Sequence, residues 1–336
     1  MFKVKQLTVA AAIALFAGAA MASNFRAADQ VYVPAAGHVS SASATFISDV
    51  FISNLSDQSV DVSVIFSTGA NGTQTPFPKV LTLAPRERRE LLDFVGNTLH
   101  ISSGLGQLIF NACLAGADCT PNPDTGLNAN FRNISVESRI FSVPLGSNPL
   151  TAPTNGQLFS GIPWYNFVSE SAVGAGLDKA FITGVRNTAQ FRTNLGFVNA
   201  SQFSTTTITA TLFNGATGAQ IAQNSFTLGP LGTIQQAIGN VFPAFAVGPT
   251  STNAYVVFQQ SGTTKTSDAD ANGCPTGCPA FFAFGSTLDN QTQDATTLEP
   301  QYLQPLTNNA ITCIYSPDVA SCKSGATIHR AVKHQF

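Results

Sequence analysis

A chain of 336 residues, 44% hydrophobic and only 10% charged, has the length for two domains of ordinary size and too little Glu, Lys and Arg to solubilise long amphipathic helices. Its 16 Lys and Arg stand against 18 Asp and Glu, and a formal charge of −2 excludes the basic footprint of a nucleic-acid-binding surface. Abundant Ser, Thr, Asn, Gln and Gly, with Phe as the dominant aromatic at 26 copies, point to exported β-structure.

Residues 1–22 read as a secretory leader. Lys3 and Lys5 precede an apolar run from Leu7 to Ala19, and Ala20-Met21-Ala22 offers a small-residue cleavage site before Ser23. The mature chain is then expected to be secreted, whether periplasmic, at the cell surface or extracellular. No cysteine follows the cleavage site to take a lipid, and no later apolar run reaches the roughly 18 residues of a membrane span.

Val31-Tyr-Val-Pro34 predicts an edge strand, because proline has no N–H to give a ladder. The next stretch, Phe46 to Asn54, predicts a core strand: alternation puts Phe46, Val50 and Ile52 on one face and Asp49 on the other. Val60 to Phe66 alternates cleanly into the turn Gly69-Ala-Asn-Gly72. After Leu83-Ala-Pro85 a short helix is expected over Glu90–Phe94, followed by strands at Gly106–Phe110 and Val136–Phe141 on either side of a cysteine-bearing loop.

The same order returns about 145 residues later. Phe191 to Asn199 repeats the core strand, with Phe191, Leu195 and Phe197 inward and Asn194 outward. Thr206–Phe213 with Asn214-Gly215, Leu228-Gly-Pro230, a helix candidate at Ile234–Ile238, Ala254–Phe258 and Phe284–Asp289 follow in register. The fold expected is all-β: two tandem β-sandwich domains of immunoglobulin-like or related topology with short helical turns, at residues 23–147 and 179–310. Residues 148–178 form a connector expected to pack, since it holds the only Trp of the chain, and residues 311–336 form a disulfide-bearing tail.

The Phe-x-[Ser/Thr]-[Asp/Asn] strand ending in Asn, the Leu-x-Pro turn and Gly285-Ser-Thr-Leu-Asp-Asn-Gln-Thr292 resemble exported bacterial tandem β-sandwich proteins of unknown function. The resemblance spans most of the mature chain. It implies a fold and carries over no catalytic residues.

Six cysteines fall into local pairs, Cys113 with Cys119, Cys274 with Cys278, and Cys313 with Cys322, and export makes disulfides the expected state. Cys313 and Cys322 with His329 and His334 offer zinc-type ligands at a spacing that fits no structural zinc motif. Asp268, Asp270 and Asn272 with Gly273 match the first half of a calcium loop, which makes calcium the cofactor this segment could take. The twelfth place, where a bidentate Glu would close the loop, is Pro279, and a solvated hairpin loop is the plainer reading.

Arg86-Glu-Arg-Arg-Glu90 reads as a solvated turn with local ion pairs, or as a docking patch. Four histidines, His38, His100, His329 and His334, sit in no metalloprotease motif, and no Gly-x-Ser-x-Gly elbow is present. Phe336 ends the chain as in some outer-membrane barrels, but repeated sandwiches account better for the turns and cysteine loops.

The function expected is a non-catalytic exported scaffold or interaction protein, of adhesion or matrix type. Its partner would be a cell-surface or extracellular protein or glycan, and self-assembly through sandwich edges is open to it. A carbohydrate-binding module using Trp164, Tyr165 and Tyr255 is the alternative, and a secreted hydrolase with an unrecognised carboxylate site is a further one.

Overall fold

The computed structural model describes residues 27–120, 128–152, 154–169, 179–202, 204–264 and 280–302. Residues 1–22, expected to be a leader, the segment with Asp268, Asp270, Asn272, Cys274 and Cys278, and the tail with Cys313, Cys322, His329 and His334 lie outside the described residues.

The first half runs β1 (Gln30–Ser40), β2 (Ala44–Asn54), β3 (Val60–Thr68), β4 (Thr73–Pro76), β5 (Leu81–Leu83) and β6 (Arg88–Leu91). A π-helical turn at Phe94–Thr98 leads to β7 (Gly104–Leu114), β8 (Ile134–Pro144), β9 (Asn155–Ser160) and β10 (Ile162–Pro163). A 3-10 turn at Trp164–Asn166 opens the second half, with β11 (Val168–Ser169), β12 (Lys179–Val185), β13 (Phe191–Asn199), β14 (Thr205–Asn214) and β15 (Gln220–Leu228). Then come β16 (Thr233–Ala237), a helical turn at Ile238–Val241, β17 (Ala254–Thr264), β18 (Ala280–Asp289), β19 (Ala295–Leu298) and β20 (Gln301–Tyr302).

All pairings are antiparallel. In the first half the order β4-β3-β7-β1-β2-β8-β9 folds over at β1. Residues Gln30 to His38 of that strand pair with β7, and Val39 and Ser40 pair with β2. Strand β1 is therefore central, not the edge expected from Pro34. The register shifts between Val33 and Ala36, so Pro34 falls where the ladder is already broken and its missing N–H costs nothing. The second half has two sheets, β11-β18-β13-β16 with β19 on β18, and β15-β14-β17-β12-β20.

Four layers result. Val50, Ile52, Phe66 and Phe110 fill the first core, and Leu195, Phe197, Ile208 and Phe258 the last. The period-two reading of β2 and β13 holds inside the layers and ends at the rim, where Phe46 is 40% exposed. Between the halves lies a third core. The cross-strand row Tyr32, Ile109, Ile65 of β1, β7 and β3 faces Val198, Phe282 and Phe284 of β13 and β18, with Phe159, Ile162 and Phe167 from the connecting stretch filling the gap. Tyr32 meets Phe167 edge-on at 4.7 Å, and Phe167 stacks on Phe282 at 5.3 Å.

Polar groups set the register of this junction. Ser67 Oγ and Gln107 Nε2 both donate to the Leu231 carbonyl, at 2.8 and 2.9 Å, and Tyr32 Oη donates to the Ala200 carbonyl at 3.2 Å. The Gly69–Gly72 turn is keyed into the 229–232 turn: Gly229 N–H donates to Ala70 O and Thr233 N–H to Gly69 O. A Cβ on Gly72 would overlap Pro230 O, and one on Gly232 would overlap Ala70 O. Five buried aromatic rings at roughly 1.5–3 kcal/mol each outweigh these bonds at about 0.5–1.5 kcal/mol each, so the rings supply adhesion and the bonds supply alignment.

The two strand-ending asparagines do the same work. Asn54 Nδ2 donates to Gln58 O and Ala84 O while its Oδ1 accepts from Ser56 N–H. Asn199 Nδ2 donates to Ser204 O and Gly229 O while its Oδ1 accepts from Ser201 N–H. Each ties its strand to the following loop and to a Leu-x-Pro turn, whose next residue, Arg86 or Leu231, has a left-handed backbone (φ 57° and 54°).

Neither helix candidate forms over the expected residues. Arg88–Leu91 instead pairs with β2 and Thr233–Ala237 with β13, and the helical turn begins only afterwards, because the open strand edge takes up the backbone hydrogen bonds first.

Asn199→Ala removes the side-chain hydrogen bonds to the Ser204, Leu228 and Gly229 carbonyls and from the Ser201 N–H, and should lower the unfolding free energy by on the order of 2–4 kcal/mol in urea titration. Gly232→Ala should leave each sandwich folded while loosening the junction, seen as faster proteolysis within residues 145–178 and a larger hydrodynamic radius.

Candidate functional site

Trp164 stands between the first core and the junction core, and its Nε1–H donates to Asp29 Oδ1 at 2.8 Å, which makes the indole a strut. Tyr165 follows in the same turn, and its side chain lies outside the described residues. Tyr255 is on the outer face of the last layer, stacked on Phe213 at 5.2 Å and 13°. The fold thus does not bring Trp164 and Tyr255 together: two layers separate the junction from that outer face.

Cys113 and Cys119 are joined, closing a loop at the end of β7. Among the described residues no three His, Cys, Asp or Glu side chains are arranged to hold a metal ion. The charged run Arg86–Glu90 shapes its own turn. Glu87 accepts from Ala84 N–H at 2.7 Å and from Arg89 Nε at 2.8 Å, which holds its carboxyl below the usual range, and the Arg88 guanidinium covers the Phe51 ring.

Two groupings carry no sequence signature. The first is a carboxylate and histidine cluster at the end of the first sandwich. His38 Nδ1, on β1, lies 2.9 Å from each carboxylate oxygen of Asp93. Asp93 has a left-handed backbone (φ 44°), accepts from Gly96 N–H, and donates its own N–H to Asp49 Oδ1 at 2.9 Å. Asp49 is 8% exposed. Burial pushes its carboxyl above the usual range; the Asp93 N–H and the Arg139 guanidinium oppose that, and the Glu90 and Asp93 charges add to it. A carboxylate on Nδ1 is how an imidazole is oriented for base chemistry. Here, among the described residues, Asp93 is the hydrogen-bond partner of the His38 imidazole, and the pair clamps the π-helical turn onto β1.

The second grouping is an open groove of about 890 Å³ at the far end of the second sandwich, lined by Arg186, Thr188, Gln190, Phe191, Val247 and Asn253 among others. The Arg186 guanidinium lies 4.9 Å above the Phe191 ring and makes no ion pair among the described residues. Asn187 holds the two walls together. Its N–H donates to Ser251 O, its carbonyl accepts from Gly248 N–H, and its Nδ2 donates to Phe245 O at 2.6 Å. Arg186 and Phe191 meet across a turn, which no spacing rule in the sequence reveals.

No protein-family description matches the chain, and no curated protein matches it. Among solved structures it is similar to Bacteroides uniformis β-glucuronidase 2 covalently bound to cyclophellitol-6-carboxylate aziridine, and to a crystal structure of Bacteroides uniformis β-glucuronidase. Both are 10% identical with a TM-score of 0.14, over 80% of this chain and 25% of the other. The chain spans about a quarter of those proteins, and a likeness of that size carries no argument.

The raised Asp49 carboxyl has a definite sign. The folded state prefers its protonated form, so the charge lowers stability at neutral pH and the penalty fades as pH falls through the folded-state titration. Asp49→Asn keeps the acceptor for Asp93 N–H. It should melt at or above the wild-type temperature at pH 7, with the gap closing on acidification. Asp49→Ala should lose about 1–3 kcal/mol at pH 7 by orphaning that N–H.

Proposed function

We propose that this chain is an exported, non-catalytic scaffold that joins other macromolecules at a cell surface or in an extracellular matrix by β-strand addition. The observation that carries this reading is the free edge of β15. Residues Gln220 to Leu228 pair with β14 on one side and with no described strand on the other. The strand has no charged residue and no proline, and its one register shift is at its start, opposite Leu212 and Phe213. Natural sheets generally close such edges with charge, proline, bulges or cover, and an edge left long and neutral is what strand addition uses.

The remaining edges offer less. Strand β4 has four residues and ends in Pro76, β16 has five, and β20 has two. Strand β9 is closed against β19 by Gln157 Nε2 to Thr297 Oγ1 at 2.9 Å and Thr297 Oγ1 to Leu158 O at 2.6 Å. Phe226, packed on Phe197 at 4.9 Å, fixes β15 to the last core, so a partner strand would meet a rigid template.

Ile221→Lys with Gln223→Lys places two charges on this edge, at exposed positions where stability should change by less than about 1 kcal/mol. Light scattering of the purified chain, with capture from native envelope and matrix fractions, should show association by the wild type that the double variant loses. A wild type that stays monomeric and captures nothing, or a variant that associates equally well, contradicts the reading.

A further inference from the structure

We infer that the groove beneath Arg186 is a saccharide site selective for sugars bearing an oxyanion, a carboxylate or a sulfate. This surface is distinct from the β15 edge, and the inference stands whether or not strand addition occurs.

The groove is pre-built. Beyond the Asn187 ties, Arg186 N–H donates to Thr193 Oγ1, Phe191 N–H donates to Thr188 Oγ1, Thr188 N–H donates to Phe191 O, and Ser251 Oγ donates to Ala246 O. These bonds fix the 186–193 and 246–251 stretches before any ligand arrives, so little backbone ordering remains to oppose binding.

What the fixed walls present is a small set of uncommitted groups. Among the described residues, the Arg186 guanidinium, the Thr252 hydroxyl and the Asn253 amide have no hydrogen-bond partner. Phe191, Val247 and Pro249 add apolar surface, and Val247 is 66% exposed. The Asp289 carboxylate, on the residue opposite Phe191 in the ladder, accepts from the Gln291 and Thr292 N–H groups and from Gln190 Nε2, and among the described residues no carboxylate forms an ion pair with Arg186.

A guanidinium that lies over an aromatic ring and has no hydrogen-bond partner among the described residues has N–H groups to offer, and their fork fits the two oxygens of a carboxylate or sulfate. Neutral donors and acceptors beside an apolar patch suit the hydroxyls and ring face of a sugar. An extended peptide fits less well, because the backbone groups of the lining turns bond to one another and leave no edge for it to pair with.

The test titrates the full chain, by calorimetry or two-dimensional NMR, with three hexasaccharides of matched length: a uronate oligomer, a sulfated oligomer and a neutral oligomer. Wild type should prefer an acidic oligomer over the neutral one, and whichever acidic probe binds tighter names the oxyanion. Arg186→Gln should weaken that binding about 10- to 100-fold, the range for loss of a charge-assisted pair, with an unchanged melting temperature. Arg192→Gln, which alters an arginine bound to Asn290 and Gln293 and not among the lining residues, should bind as wild type. Failure of all three probes to bind, equal binding of neutral and acidic oligomers, wild-type affinity in Arg186→Gln, or equal loss in Arg192→Gln would each overturn the assignment.

Discussion

The burial of Tyr32, Ile65 and Ile109 on one side and Phe282 and Phe284 on the other is the constraint from which the rest of the architecture follows. Had these residues been polar, each half would be a sandwich with two wet faces and the connecting stretch a tether. Because they are apolar, the inner sheet of each half is apolar on both faces, and the chain becomes a four-layer body. The connecting stretch is drawn into it, with β10 on β1, β11 on β18, and Phe159 packed edge-on against Phe284 at 5.7 Å.

Strands β2 and β13, alike in their residue pattern, differ where their surroundings differ. On its outer face, β2 carries Phe51, which Arg88 covers. The position 145 residues later is Gly196, where any Cβ would strike the Phe284 ring that lies across β13 in the junction. In the same way Asp49 has a partner in the Asp93 N–H that closes the first sandwich, and Asn194 stands at the matching place in β13. The inward residues and the terminal asparagines are alike in both strands, because a core and a strand end impose the same demands twice.

That division explains what could be read in advance. The inward faces at Val50, Ile52, Leu195 and Phe197 were legible because alternation is a local property of a strand. Within the connecting stretch, Trp164 packs against both the first core and the junction core. The central place of β1 was not legible, because proline weighs against a ladder and only tertiary context reveals a bulge at Pro34. The His38 and Asp93 pair, 55 residues apart, and the placement of Arg186 over Phe191 depend on where turns close in space. The free edge of β15 is a statement about which strands are neighbours, and a strand pattern says nothing of its neighbours.

A four-layer body suits the proposed role: a partner strand added at β15 would extend a sheet packed on the last core, with the Arg186 groove on a different surface. Everything in that picture rests on the third core making the halves one cooperative unit. Native-state hydrogen exchange across a denaturant series tests this most directly. The account predicts that amides of β1 and β7 in the first half and of β13 and β18 in the second share one highest opening free energy and merge together with global unfolding. If the β1 and β7 amides instead open at lower denaturant while β13 and β18 stay protected, the halves are independent and the account is contradicted.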